Sequence, residues 1–470
     1  MKKKDIAAFA VGPIAGAAIS FISMPIITWY YSAEDVGRIA MLQVVTSMCV
    51  LLFSLGLDQA YVREYYITGD KTTLIKTVLA PGLILLLVAI AGSLLRPLAL
   101  SKALFGVNNS LISVLIAICL LASFVSRFLS LILRMQERGL AFSMSQLLPK
   151  LLFLQIIGFY VLFSFGFDLL HLVIAQTASI VMVTTVYAFN TRCCWAPALG
   201  QSIDRHLLKR MIVFGAPLML GGIASWGLMT MDKLFLRNLS TFEELGIYSV
   251  AANFAAAGLL VQSVFSTIWA PMVYKWVSNG TDPKIVDQAT NQVLALVVFV
   301  FSLTGMFSWL ITYLLPAKYY SVQYITMSCI AYPLFYTLSE ATGIGLGITR
   351  RSILSMTASL IAALFNLFGC WLLVPKYGAT GAGISTAIAF WVFFFCRTEF
   401  AIRAWRPLPR IKLYLSTIAC LGLATSFTIF GDRYNAMFLI LWFLLFLFAL
   451  VYFKKTVLLA VKCLFKAQPT

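Results

Sequence analysis

The chain has 470 residues, 61% of them hydrophobic and only 11% charged, with a formal net charge of +18. Soluble domains carry roughly 25% charged residues, so no aqueous surface can be built from this composition. At roughly 20 apolar residues per bilayer crossing the chain holds well over ten spans, and its basic residues, which sit in short loops between apolar runs, read as topology signals that disfavour nucleic acid as a partner.

Lys2, Lys3 and Lys4 precede an apolar run that, at about 25 residues, is too long for a cleaved signal and is expected to remain as the first helix. Apolar runs bounded by charge, Gly or Pro then predict fourteen helices, over 6–30, 36–57, 74–95, 111–133, 141–165, 169–187, 211–231, 245–270, 291–315, 322–347, 353–374, 379–395, 411–430 and 436–453. The expected fold is an all-α integral membrane protein. With the N-terminus inside, twenty-seven of the 35 Lys and Arg residues fall on the cytoplasmic face, among them Arg138, Lys150, Arg210, Arg350, Arg397, Lys454, Lys455, Lys462 and Lys466. The opposite face holds eight: Arg38, Arg96, Lys102, Lys233, Arg237, Lys318, Lys376 and Arg433. Both termini are therefore expected in the cytoplasm. Most cysteines are single residues in apolar runs; the adjacent pair Cys193-Cys194 lacks further ligands, so no metal site is expected.

The chain repeats internally. Glu34-Asp35-Val36-Gly37 returns as Glu243-Glu244-Leu245-Gly246 and Tyr65 as Tyr274, 209 residues later. Gly12-Pro13 matches Ala216-Pro217 at 204, Ser126-Arg127 matches Ser339-Glu340 and Arg138 matches Arg351 at 213, and Gly166-Phe167-Asp168 matches Gly378-Ala379-Thr380 at 212. Six spans per unit make this a parallel repeat about the membrane normal. The expected organisation is an N-lobe over 1–190, a cytoplasmic linker over 191–210, a C-lobe over 211–398, two additional helices over 399–453 and a tail over 454–470.

Charge within a span is costly unless it faces a polar cavity, which makes intramembrane ionisable residues the candidates for a site. Arg127, Arg134 and Arg138, spaced i, i+7, i+11, predict a basic stripe on one helix face, with Arg127 the deepest. A stripe of this kind suits phosphate, whereas snorkelling to headgroups is the competing reading for Arg134 and Arg138. Asp232 and Lys233 lie near the end of the seventh span with Arg237 five residues on, as either an ion pair or substrate contacts. Asp58, Arg63 and Glu64 form a mixed-charge cluster at the end of the second span, read either as lying at headgroup level or, for Asp58 and Arg63, as contacts in a substrate cleft. Glu340 has no basic neighbour in sequence and is expected to find a partner on another helix or face a cavity; it occupies the repeat position of Arg127, so the two either form a gate or pair within their own lobes. Asp168 and His171 fall in a short turn and carry no expected role. Enzyme signatures are missing: there is no G-x-S-x-G, Walker pattern, H-E-x-x-H or D-x-D, and no loop large enough for a catalytic domain.

The Gly12-Pro13 helix, the run Gly56-Leu57-Asp58-Gln59-Ala60-Tyr61-Val62-Arg63-Glu64-Tyr65-Tyr66, the Trp226 to Arg237 stretch, Gly246-Ile247-Tyr248-Ser249, and Pro375-Lys376-Tyr377-Gly378-Ala379-Thr380-Gly381-Ala382 resemble polysaccharide-type flippases of the multidrug/oligosaccharidyl-lipid/polysaccharide exporter superfamily, in particular Wzx-type O-antigen or capsule repeat-unit flippases. The resemblance implies two six-helix lobes, a cleft opening alternately to each side, and passage of an undecaprenyl-diphosphate-linked oligosaccharide to the periplasmic leaflet of the bacterial inner membrane. Arginine suits the diphosphate through bidentate, charge-assisted hydrogen bonds. Lipid-linked oligosaccharide, membrane lipids and other polysaccharide-assembly proteins are the expected partners. No cofactor is expected, and an H+ or Na+ gradient is the candidate energy source. The rival readings are a drug exporter of the same superfamily, which would need an acidic, aromatic cavity, and a membrane enzyme such as an O-antigen polymerase, which would lack the repeat.

Overall fold

The computed structural model describes residues 3–280, 284–454 and 456, so Lys2, Lys455, Lys462 and Lys466 and most of the expected tail lie outside the described residues. Among the described residues there is no strand. In chain order the helices are α1 (Lys3–Tyr30), α2 (Ala33–Phe53), the short α3 (Leu57–Glu64), α4 (Lys71–Leu94), α5 (Ala99–Phe105), α6 (Ser110–Met135), α7 (Gly139–Leu162), α8 (Leu169–Asn190), α9 (Arg192–Leu199) and α10 (Arg205–Leu239). They continue as α11 (Phe242–Ala255), α12 (Gly258–Ser278), α13 (Lys284–Phe307), α14 (Leu310–Leu314), α15 (Val322–Cys329), α16 (Ala331–Ile348), α17 (Ser352–Ala404), α18 (Arg410–Phe430) and α19 (Asn435–Tyr452). Starts are set by side-chain caps: Ser32, Asp70, Asn109, Asp168 and Thr241 each accept a backbone N–H of the following first turn. At Asp70 the hydroxyls of Thr72 and Thr73 add to this and hold the carboxyl down to about 2.

Ten of these helices are long and apolar enough to cross a bilayer, and every one of the fourteen expected spans has a helical counterpart. Three spans expected to be uninterrupted are each built from two helices, α11 with α12, α13 with α14 and α15 with α16, which meet at 256–257, at 308–309 and at Ile330. Two others share α17, whose 53 residues contain one non-helical residue, Gly378, at φ 50° and ψ −127°. The chain reverses there: the Ser385 hydroxyl donates to the Asn366 carbonyl at 3.0 Å and to its side-chain oxygen at 2.9 Å, atoms that a straight helix would hold about 28 Å apart. Only glycine adopts this conformation without strain. The Glu244 carboxylate of α11 accepts the Ala379 N–H at 2.7 Å, which caps the returning half at the point where a helical acceptor is lost. Second-span residues expected to be helical as far as 57 instead leave the helix after Phe53, because Leu55 and Gly56 both have left-handed φ (55° and 71°) and start α3 in a new direction.

The repeat is visible in local geometry. The helix starts of α2 and α11 are 209 residues apart, each one residue after a hydroxyl cap, Ser32 and Thr241. Glu137 and Arg350, 213 residues apart, share a left-handed φ of 59° and 56°. The N–H of the following arginine reaches back to Leu133 O in one case (3.1 Å) and to Leu346 O in the other (2.9 Å). Both are helix-terminating turns in which a 6→1 bond satisfies a late carbonyl.

The chain forms two compact units, Met1–Lys233 and Leu234–Thr470. In the first, α1 packs on α7, and α6 on α8 and α2; in the second, α16 packs on α17 and α12, α13 on α19, and α11 on α15. The division falls inside α10, not in the expected linker 191–210, part of which is the helix α9. Side-chain and backbone contacts explain the shift. Arg210 Nη2 lies 2.8 Å from Glu64 Oε2, the Trp226 indole donates to Ser47 Oγ at 2.9 Å, and Gly215 meets Gly56 backbone to backbone. A Cβ at Gly56 would stand 2.1 Å from Gly215 O.

Gly56→Ala is therefore expected to destabilise the protein by about 2–4 kcal/mol through combined left-handed strain and overpacking. Gly92→Ala, where a Cβ meets nothing within 4 Å of a helical position, is expected to be neutral or stabilising. Thermal unfolding of the two variants in detergent checks this.

Candidate functional site

The first unit encloses a cavity of about 480 Å³ walled by α2, α6, α8 and the turn into α3. Polar residues contribute to its lining, Gln43, Thr46, Ser47, Ser54, Asp58, Ser123, Arg127 and Gln176, with Leu42, Val50 and Leu51 completing the wall. The left-handed turn at 55–56 aims α3 so that Asp58, in its first turn, meets Arg127 from α6; Arg127 Nη2 donates to Asp58 Oδ2 at 2.8 Å. Arg127 lies eight residues before the end of α6, a depth of about 12 Å along the helix. A guanidinium at that depth persists because a carboxylate and a polar cavity replace its hydration. The pair is not sealed: the Arg127 side chain is 39% exposed and that of Asp58 11%. Hydroxyls of Ser54 and Ser123 donate to carbonyls three or four residues back, which leaves their oxygens free to accept from a bound hydroxyl-rich molecule; the Ser47 hydroxyl donates to the Val44 carbonyl and accepts the Trp226 indole.

The second unit encloses a cavity of about 420 Å³ lined by Ser266, Trp269 and Tyr274 of α12, Glu340, Gly343 and Gly347 of α16, Arg350, Ser352 and Ser355 at the start of α17, and Arg397 near its end. Glu340 is reached from another helix, as expected of an acid without sequence neighbours: the Ser266 hydroxyl donates to its carboxylate, and the Trp269 indole donates to its backbone oxygen at 3.2 Å. Arg127 and Glu340 thus each have a partner inside their own unit. The partners also fall at repeat positions to within one residue, since Thr267 follows Asp58 by 209.

The other expected site residues are placed elsewhere. The stripe Arg127–Arg134–Arg138 does not form, because α6 ends at Met135 and Arg138 stands in the next turn, where its guanidinium holds Asn190 Oδ1 at 2.8 Å. Arg134 is exposed, its guanidinium 5.8 Å from the Phe142 ring. Arg63 lies over Phe214 at 4.3 Å, away from the cavity that holds Asp58, and Glu64 pairs with Arg210, so the expected Asp58/Arg63/Glu64 cluster is three separate contacts. Asp232 is buried at 3% exposure and accepts the Lys233 N–H at 2.8 Å, while Arg237 lies over Phe242 at 4.6 Å; none of the three lines either cavity. Asp168 caps α8 and bonds the His171 ring at 2.6 Å, a local role in keeping with its turn.

Two cations read as topology signals make contacts within the helices. Arg397 lines the second cavity because α17 continues past the expected end at 395 to Ala404. Lys150 lies eleven residues inside α7 and donates to the Gly16 carbonyl of α1 at 3.0 Å. The helical overrun was the signal available for the first. For the second it was the Pro149-Lys150 step inside an apolar run.

A helical chain of many membrane spans whose two units each enclose a polar, charged cavity has the build of a membrane carrier. The family model for polysaccharide biosynthesis proteins matches residues 3–276, and the chain belongs to that family. The capsular polysaccharide biosynthesis protein CapF of Staphylococcus aureus is 24% identical over 407 residues, 81% of this chain and 94% of that protein. The fold matches that of the lipid II flippase MurJ in an inward closed conformation, with a TM-score of 0.67 at 12% identity, covering 96% of this chain and 99% of the other. An inward-facing multidrug resistance MATE family transporter matches with a TM-score of 0.57 at 15% identity, covering 86% and 96%.

A double-mutant cycle on Asp58→Asn and Arg127→Gln is expected to show a coupling of about 1–3 kcal/mol, with either single change costing more than the pair because it strands one charge in the membrane. Thermal unfolding of the four proteins measures it.

Proposed function

We propose that the protein is a flippase for an undecaprenyl-diphosphate-linked oligosaccharide, moving it by alternating access from the cytoplasmic to the periplasmic leaflet of a bacterial inner membrane, with both chain termini in the cytoplasm. One observation carries the reading: in a chain of the polysaccharide biosynthesis family, the first unit holds a partly exposed arginine in a cavity whose wall includes two amides and several hydroxyls beside Asp58 and three aliphatic side chains. The difficulty of flipping is that a sugar-diphosphate head must cross roughly 30 Å of hydrocarbon. A guanidinium supplies paired donors to phosphate oxygens, and Gln43, Gln176, Thr46, Ser47 and Ser123 supply the mixed donors and acceptors that sugar hydroxyls require. In this reading Asp58 holds Arg127 in place until the diphosphate arrives, and an H+ or Na+ gradient supplies the energy. The work is transport, not catalysis.

The MATE likeness favours a second reading, export of organic cations. Such a cavity needs an uncompensated acid, and the acid of the first unit is already matched by Arg127.

Deletion in the native host is expected to abolish surface polysaccharide and to accumulate the lipid-linked repeat unit on the cytoplasmic leaflet; accumulation of a drug with normal polysaccharide would replace this reading with the second. Arg127→Ala is expected to lose complementation and Arg127→Lys to restore it only in part, because a point charge does not reproduce the bidentate fork. Full polysaccharide from Arg127→Ala would remove Arg127 from the site.

A further inference from the structure

We propose that the cavity of the second unit is a phosphate site of its own, in which Arg350 and Arg397 grip the oxyanion while Glu340 competes with it for Arg397. The first unit matches its arginine with Asp58; the second does not. Two guanidinium groups line this cavity against one carboxylate, and that carboxylate is engaged by the Ser266 hydroxyl. Arg350 has no side-chain hydrogen bond or ion pair among the described residues. Among the described residues Arg397 reaches uncharged groups, Ser339 Oγ at 3.3 Å, the Tyr336 phenol and the Phe393 ring at 5.6 Å, and its buried Nε has no acceptor. Glu340 is near enough to act on it electrostatically without forming an ion pair. A guanidinium held this way lacks the anion that ordinarily accompanies it inside a protein.

The backbone places these donors on one opening. Arg397 lies flat on α16 because residue 343 is glycine: a Cβ there would stand 2.8 Å from Arg397 Cγ and 2.9 Å from Nε. Gly347 admits the Tyr274 hydroxyl in the same manner, at 2.3 Å from its would-be Cβ. The first turn of α17, carrying Ser352 and Ser355, completes the wall with N–H groups that have no helical acceptor, and its dipole favours an anion. Paired arginine forks, hydroxyls and a helix start suit a tetrahedral oxyanion with several acceptors better than a lone carboxylate. A volume of about 420 Å³ leaves room for the group esterified to it. The shared chemistry is a phosphate ester, presented either by a lipid headgroup or by a soluble compound. Glu340 then acts as an internal rival that keeps Arg397 from holding the ligand too firmly.

The inference concerns a site apart from Arg127, so it is tested in the full chain carrying Asp58→Asn together with Arg127→Gln, which strands neither charge and in which failure of the transport reading does not affect the result. Equilibrium binding is measured in a neutral detergent with sn-glycerol 3-phosphate and with short-chain phosphatidylglycerol. Saturable binding of one equivalent is expected. Arg397→Gln and Arg350→Gly should each weaken it about tenfold, and Glu340→Gln should tighten it about threefold. Arg350→Gly is the cleaner variant, since a left-handed φ of 56° suits glycine and the fold is retained. Preference for phosphatidylglycerol identifies a headgroup as the source; equal or better binding of glycerol phosphate identifies a soluble ester. Absence of saturable binding by both compounds, or binding indifferent to both arginine changes, overturns the proposal.

Discussion

An arginine inside hydrocarbon must bring its own solvent, and in the first unit that solvent is Asp58. The carboxylate is in place because the chain turns through two left-handed residues, Leu55 and Gly56, at the end of α2. The turn is tight enough only because Gly56 and Gly215 carry no side chains where they meet. Arg210 and Trp226, clamped to Glu64 and Ser47, hold that stretch of α10 to the first unit. The placing of Asp58 beside Arg127 and of the cavity around them therefore follows from one requirement, that a guanidinium within a membrane span meet an anion.

The second unit solves the corresponding problem with less charge matching. Its acid at the Arg127 position is satisfied by a hydroxyl, and its arginine comes from the far end of α17. What brings them into one cavity is close backbone approach. Gly343, Gly345 and Gly347 let Arg397, Trp405 and Tyr274 lie directly on α16, and the reversal at Gly378, capped by Glu244, returns α17 to the same side of the unit.

The helices were legible as apolar runs, since a bilayer demands long uninterrupted apolar segments and leaves few alternatives. Their internal breaks were not. Ala256 and Ala257 have high helix propensity and give no local sign of an interruption, and Pro375 suggests a stop where the helix continues to Gly378. The left-handed Glu137 is an unmarked terminator, so the arithmetic that placed Arg138 on one stripe with Arg127 assumed a helix that had ended. Arg127, Asp58 and Glu340 were found because charge among apolar residues needs a reason. Arg397 and Lys150 were passed over because a cation near the edge of an apolar run reads equally well as a topology signal. The Asp58–Arg127 pairing depends on a turn between elements 69 residues apart in sequence, which no local pattern records.

Arginine at 127 and glutamate at 340 occupy equivalent places in the pattern that repeats at an offset of 213, marked by the shared turns at Glu137 and Arg350. Two identical halves assembled as a symmetric dimer would carry the same residue at both places, either two cations or two anions. Opposite signs require halves that differ in sequence, and a single polypeptide fixes which half carries which. With Arg127 in one half and Glu340 in the other, two copies of either half alone would not reproduce the pair.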